Sequence, residues 1–481
     1  MINFRVIVNI LGLLLLIEGI SMVIPMGISF YYQESDTVAL AIGSVITMIT
    51  GLIAWLSTHR GDKTITKREG YIIVSLVWIM FSLFGSLPFI LSGAIPTFTD
   101  AFFETISGFT TTGASILKDV EIIPHGLLFW RCMTQWLGGM GIIVLSLAVL
   151  PIFGIGGMQL FVAEVPGPTP DKFHPRVKET AKRLWGIYLI FTISEVILLL
   201  LGDVKLFDAV CHAFTTMATG GYSTKQASIA AFSPYVQYVI TIFMFLAGTN
   251  FALSYYGLHF KFKKIFKNEE FRFYFFFLVG FTMLITTFLW FGNVLPFESS
   301  FRHAVFQVVS ITTTTGYVTT DYLQWAPFLV VIIFMLMFLG GSGGSTGGSI
   351  KIVRVALLIK NSALELKRLL HPNAVIPVRL NQKSINSQTM TNVLAFVVIY
   401  MMILAGSTII VSAMGYDLAS SLGSVAATLG NIGPGIGAVG PAENYAHLPA
   451  FGKWFLSFLM LIGRLELFTV LILFSPAFYK K

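Results

Sequence analysis

Apolar runs long enough to cross a bilayer as helices, about 20 residues each, recur from one end of the chain to the other. They cover approximately residues 5–30, 38–58, 70–95, 126–150, 184–202, 233–258, 272–292, 326–339 with a continuation to 360, 391–414 and 450–478, ten predicted spans in all. After the first two, the remaining eight fall into four pairs. Within each pair the connecting segment is too long and too polar for a simple turn. Those segments resemble one another: DAFFETISGFTTTGAS from Asp100, DAVCHAFTTMATGGYS from Asp208, FRHAVFQVVSITTTTGYVTT from Phe301 and DLASSLGSVAATLGNIGPGIG from Asp417. The pattern predicts a unit of about 100 residues, made of a helix, a re-entrant segment and a second helix, repeated four times. The corresponding divisions are an N-terminal helix pair over 1–69 and repeats over 70–160, 161–265, 266–370 and 371–481.

Each re-entrant segment opens with mixed apolar residues suited to a short half-helix and then turns rich in Thr, Gly and Ser. Non-helical backbone at membrane depth survives only where protein buries it or where it lines a watery cavity. Four such strands can surround one axis, and carbonyls aimed at a common axis can replace the hydration shell of a cation. Glycine tolerates the dihedrals that this requires, and threonine favours extended backbone while adding oxygen without fixed charge. Gly113 and Gly316 align directly, each six residues after a serine, Ser107 and Ser310, and the offset from Asp208 selects Gly221. In the fourth segment the serine rule picks Gly430, whereas Asn431, Ile432 and Gly433 read as the exit of a filter. Gly433 is favoured, with Gly430 in reserve.

Composition and charge set the compartment. Of the 481 residues 55% are hydrophobic and 11% charged, and the mean hydropathy is +0.81, which excludes a set of soluble domains. The net charge of +8 is a matter of topology. Of 31 Lys and Arg, 24 lie at the N-terminus, in alternate loops and at the C-terminus, six in the other loops, and Arg464 inside a span. By the positive-inside rule both termini are cytoplasmic, and nucleic acid is not an expected partner. The first run follows Arg5 like a signal peptide, but its length, Glu18 and a poor cleavage site predict a retained helix. Cys132 and Cys211 lie in or beside apolar segments and are expected to be packing residues.

FLGGSGGSTGGSIK, Phe338–Lys351, interrupts the second helix of the third repeat. No Lys-Ser or Lys-Thr follows a glycine at phosphate-loop spacing, so the segment reads as a helix break in mid-membrane. Glycine and serine at that density do not stay helical, and the loop is expected to be mobile. Arg464, in FLMLIGRLELF, costs at least about 2.5–3.5 kcal/mol at the centre of a span and is not expected to face lipid. Two readings stand: a pore-facing barrier to cations, or a salt bridge to Glu195 or Glu18. Glu104 is expected to pair behind the filter in a structural role rather than to bind an ion, and His212 to be a satisfied core residue.

On these motifs the chain resembles the Trk, Ktr and HKT superfamily of potassium and sodium transporters, specifically the Trk-type bacterial potassium uptake subunit. The resemblance covers essentially the whole chain, including the extra N-terminal helix pair. It implies an all-α integral membrane protein with four pseudo-symmetric helix–pore loop–helix repeats around one ion pore, in the bacterial inner membrane. The implied ion-binding residues are Thr111, Thr112 and Gly113; Thr219, Gly220 and Gly221; Thr314, Thr315 and Gly316; and Asn431, Ile432 and Gly433. Potassium would lie at Thr111, Thr112, Thr219, Gly220, Thr314, Thr315, Asn431 and Ile432. Glycine rather than serine at position 113 implies potassium over sodium, and the missing threonine run before Gly433 is a departure. The implied gate comprises Gly340, Gly341, Gly343, Gly344, Gly347, Gly348 and Arg464. The resemblance also implies a homodimer and a cytoplasmic ring of nucleotide-binding regulatory subunits, with potassium as substrate and no cofactor in this chain. A symporter coupled to sodium or protons is the rival within the class. A membrane enzyme would need paired carboxylates or a His/Asp cluster at the membrane surface, and a structural anchor would leave four repeated segments unexplained.

Overall fold

The computed structural model describes residues 2–58, 65–139, 177–292 and 295–480. The end of the 126–150 span and the junction between the first two repeats at residue 160 lie outside the described residues. The fold is an all-α membrane architecture. Its strands are two short pairs: Leu339–Gly340 parallel to Ile350–Lys351, and Arg379–Leu380 antiparallel to Lys383–Ser384.

Six helical stretches are long and apolar enough to span: Phe4–Tyr32, Thr37–Thr58, Lys67–Leu91, Ala181–Leu200, Glu269–Phe291 and Ser387–Ser412. Two more are bent pairs, Pro234–Ala247 with Phe251–Leu258 at 114° and Ala450–Arg464 with Phe468–Phe474 at 111°. Pro327–Leu336 is a shorter apolar helix, and His125–Gly139 runs to the edge of the described residues. The spans expected over 233–258 and 450–478 are therefore not continuous. At the first bend a Cβ on Gly248 would stand 2.5 Å from Thr313 Cγ2, and the Asn250 side chain accepts from Ala252 N and starts a new helix. At the second, Glu466 and Leu467 take left-handed φ values of 52° and 55°, which no α-helix accommodates. In the second, third and fourth repeats the second helix thus breaks on its way through the membrane.

Four half-helices separate the paired spans: Phe98–Phe109, Leu206–Met217, Phe297–Thr312 and Leu418–Leu429. Their starts are capped or acidic. Thr97 Oγ1 accepts from Asp100 N, Asp208 and Glu298 occupy first turns, and Asp417 accepts from the Ala419 and Ser420 amides. Hydrogen bonding from Ser420 holds the exposed Asp417 carboxyl below its usual pKa. Behind the half-helices the interior packs as two large clusters. One joins the N-terminal pair to the first and fourth repeats through Leu13, Trp78, Phe103, Trp130, Leu429 and Leu456. The other joins the second and third repeats through Tyr188, Phe251, Tyr274, Val309 and Leu329. The outward faces expose Ile53, Ile193, Phe276, Met402 and Ile409, a surface suited to lipid.

Candidate functional site

Each half-helix ends in the same three-residue strand. Thr111, Thr219, Thr314 and Asn431 all have left-handed φ, between 52° and 59°. Two residues later Gly113, Gly221, Gly316 and Gly433 have φ of 80°, 75°, 80° and 99°. The hydrogen bonding repeats too. The amides of Thr112, Gly220, Thr315 and Ile432 each donate to the carbonyl five residues back, on Ser107, Thr215, Ser310 and Ala427. This register aligns Gly433, not Gly430, with the other three glycines. Gly430 has right-handed φ of −80° and caps its half-helix, as Thr110, Ala218 and Thr313 do in theirs.

The four strands touch in cyclic order. A Cβ built on Gly113 would lie 2.2 Å from Gly220 O, one on Gly221 1.9 Å from Thr315 O, one on Gly316 1.8 Å from Ile432 O, and one on Gly433 2.8 Å from Thr112 O. First meets second, second third, third fourth and fourth first, so the strands close a ring. Glycine is required there twice over, by its φ and by the neighbouring carbonyl. On one side the ring opens into a mouth of about 120 Å³ lined by all four glycines.

The ring is braced from behind by residues that the sequence reading did not single out. Tyr222, next after Gly221, donates its hydroxyl to Glu104 O on the half-helix of the preceding repeat. Tyr317, next after Gly316, does the equivalent, its hydroxyl meeting Thr215 Oγ1 and donating to His212 O. Tyr445 donates to Gly433 O at 2.8 Å. Gln135 bridges the second strand, donating to Gly220 O and accepting from Tyr222 N. A carbonyl has two lone pairs, so Gly220 O keeps acceptor capacity. Glu104, expected to be structural, accepts from Arg131 Nε at 2.7 Å, from Ser115 Oγ and from Ile116 N. Arg131 lies 3.4 Å over the Tyr222 ring and donates to Ser223 O, tying the first strand to the second. Tyrosine directly after two of the aligned glycines was a usable signal. Glu104 was expected to pair behind the filter, but its partner Arg131, 27 residues on, carried no signal of its own.

Most of the threonine hydroxyls near the ring are engaged within the protein. Thr110 pairs with Thr112, and Thr313 with Thr315, both at 2.8 Å. Asn431 Nδ2 donates to Thr112 Oγ1 at 2.9 Å, Thr111 Oγ1 accepts from Arg464, and Thr314 Oγ1 accepts from Gly348 N. The last two lead to the segment beneath the ring.

That segment is the glycine loop, and it is held at many points. Gly340 pairs with Lys351 in the parallel strand, and Gly341 O accepts from Ile352 N. Gly343 N donates to Glu270 Oε1, while Gly344 O accepts from Phe251 N. Gly347 O accepts from Lys351 Nζ, and Gly348 N donates to Thr314 Oγ1 at 2.6 Å. Thr346 Oγ1 lies 3.2 Å from both Met217 O and Ala247 O of the second repeat. A Cβ on Gly348 would sit 2.5 Å from Gly430 O, so the loop lies directly against the fourth strand.

Arg464 completes this layer. It donates to Thr346 O at 2.7 Å, to Gly138 O and Gly139 O at 2.8 and 2.7 Å, and to Thr111 Oγ1 at 3.1 Å. Of the two readings of Arg464, the salt bridge to Glu195 or Glu18 is not among these contacts. Among the described residues, the ion pair at this depth is between Arg354 and Glu466. The helix bends just after Arg464, and the guanidinium points to the Gly138 and Gly139 carbonyls.

Three comparisons bear on this geometry. The family model TrkH, described as a cation transport protein, matches residues 37–480. The "Trk system potassium uptake protein TrkH" of Salmonella typhimurium is 41% identical over all of both chains, and that of Halomonas elongata is 38% identical at the same coverage. The crystal structure of the potassium transporter TrkH from Vibrio parahaemolyticus superposes with a TM-score of 0.90 at 36% identity, again covering both chains completely.

Proposed function

Since the chain belongs to the TrkH family of cation transport proteins, we propose that it carries potassium across the bacterial inner membrane, by permeation through the ring of four strands. A potassium ion arriving at the mouth loses water and gains backbone oxygens from Thr112, Gly220, Thr315 and Ile432, with Thr111, Thr219, Thr314 and Asn431 one step deeper. The half-helices turn their C-terminal, partially negative ends toward the passage, which favours a cation without a fixed charge that would trap it. Beneath, the loop from Gly340 to Gly348 and Arg464 form the gate. In the present arrangement the guanidinium and the loop hydrogen bonds obstruct the path, and flux needs them to move aside. Conformation, rather than bond chemistry, controls the flow. The chain acts as a homodimer with both termini in the cytoplasm, where a ring of nucleotide-binding regulatory subunits sets the gate.

The observation that carries this reading is the closed cycle of contacts among strands that share one pair of left-handed positions. Reconstitution of the purified chain into a planar bilayer tests it. Under a potassium gradient with sodium and pH equal on both sides, the reversal potential should follow the potassium Nernst potential. A reversal potential that moves with a proton or sodium gradient by a fixed ratio would instead establish coupled symport.

A further inference from the structure

A second cavity lies beside the mouth and outside the ion path. It is a half-open cleft of about 640 Å³ between the C-terminal end of the first helix, Gly27–Tyr32, and the segments of the first two repeats around Glu121–Phe129, Lys205–Val210 and Thr224–Lys225. Its floor is aromatic: Tyr32 stacks on His125 at 4.0 Å, and Phe207 meets both rings, at 6.0 Å from Tyr32 and 4.8 Å from His125. Phe129, Leu206 and Val210 extend the apolar wall into the membrane-spanning part of the fold. Phe30 and Tyr31, on the adjoining helix end, are 76% and 80% exposed, as residues at a membrane–water boundary are.

The rim is charged in both signs. Lys205 and Lys225 line the cleft, and neither ammonium has a hydrogen-bond or ion-pair partner among the described residues. Asp208 and Glu121 line it as well, each bound only to a neutral donor, Thr224 Oγ1 and Gln226 N respectively. Two free cations and two carboxylates above an apolar trough match an amphiphile that carries an anion and a cation on its head. They do not match a simple anion or a peptide helix.

We propose that this cleft binds a zwitterionic glycerophospholipid of the outer leaflet bearing a primary ammonium. Its phosphate lies between Lys205 and Lys225, its ammonium faces Asp208 and Glu121, and one acyl chain lies along Phe129, Phe207 and Val210. The site has a consequence for transport. Lys225 lines both the cleft and the ion mouth, so a phosphate on it screens a positive charge that repels arriving cations. Lipid binding is independent of the permeation reading, whereas the effect on flux rests on it.

Native mass spectrometry of the delipidated full-length chain, titrated in turn with phosphatidylethanolamine, phosphatidylcholine and phosphatidylglycerol, tests the site. The ethanolamine lipid should bind best, and the double variant Lys205→Gln/Lys225→Gln should hold it roughly tenfold more weakly or worse. Equal binding by the variant, or a preference for the glycerol lipid, would overturn the assignment. A benzophenone amino acid in place of Phe207 should yield a lipid adduct in native membranes, and a chain-to-chain adduct there would show that a second copy fills the cleft. In liposomes of fixed surface charge, removing the ethanolamine lipid should slow potassium entry in the parent chain and leave the double variant unchanged. Lipid binding without any such change would refute the screening step while the site itself stands.

Discussion

A methyl group on Gly316 would stand 1.8 Å from Ile432 O, and one on Gly221 1.9 Å from Thr315 O. No rotamer relieves such an overlap, because the clashing atom is backbone on the neighbouring strand. Replacing Gly316 with serine should therefore push the fourth strand off register and raise sodium permeation relative to potassium, as bi-ionic reversal potentials would register. Unchanged ion ratios in a folded Gly316→Ser protein would argue against a coordinating role for this ring. The ion pair behind the ring is predicted to act on stability. Glu104 and Arg131 are both buried, and removing one partner of a buried pair strands the other at a cost of about 3–5 kcal/mol. Glu104→Gln should lower the thermal midpoint in detergent sharply, and an unchanged midpoint would show that the carboxylate is dispensable there.

The loop from Gly340 to Gly348 shows what glycine density did and did not imply. The composition predicted a helix break, and a break is found. It also predicted slack, whereas the loop is tied to Thr314, Met217, Ala247, Glu270 and Arg464. Those partners come from five separate stretches of the chain, in the second, third and fourth repeats, so their positions were not legible in the segment. Each such hydrogen bond is worth about 1 kcal/mol net, so releasing three or four costs roughly 3–5 kcal/mol, which leaves an open state populated at well below one per cent. Thr346→Val keeps the shape and removes the hydroxyl that faces Met217 O and Ala247 O. It should raise basal potassium flux about fivefold in liposomes without regulatory partners, and flux at or below the parent level would count against the loop as gate. Arg464→Ala removes four donated bonds and a charge, and should raise flux further.

Over the whole molecule, the four-fold plan was written in the chain because each repeat carries its own local signals: an apolar half-helix, a glycine at its exit and, in the first three, threonine just before that glycine. Even the doubtful fourth copy follows the rule once φ is known, since Asn431 occupies the left-handed position that threonine fills in the other three. Asparagine tolerates that conformation better than threonine does, which makes it a natural substitute. The bends at Gly248–Asn250 and Leu465–Leu467 were not legible in the hydropathy, because each is a break of only a few residues, GTN and LEL, between apolar runs that continue on both sides. The arginine brace was hidden because its partners lie in distant parts of the chain, whereas the tyrosines that follow Gly221 and Gly316 could have been read. All of these details bear on the arrangement proposed above, in which four strands would hold a dehydrated monovalent cation between them. Crystals grown in rubidium, measured at its absorption edge, test that most directly. The account predicts anomalous density on the ring axis, level with the carbonyls of Thr112, Gly220, Thr315 and Ile432. Rubidium bound elsewhere, with the axis empty at saturating concentration, would contradict it.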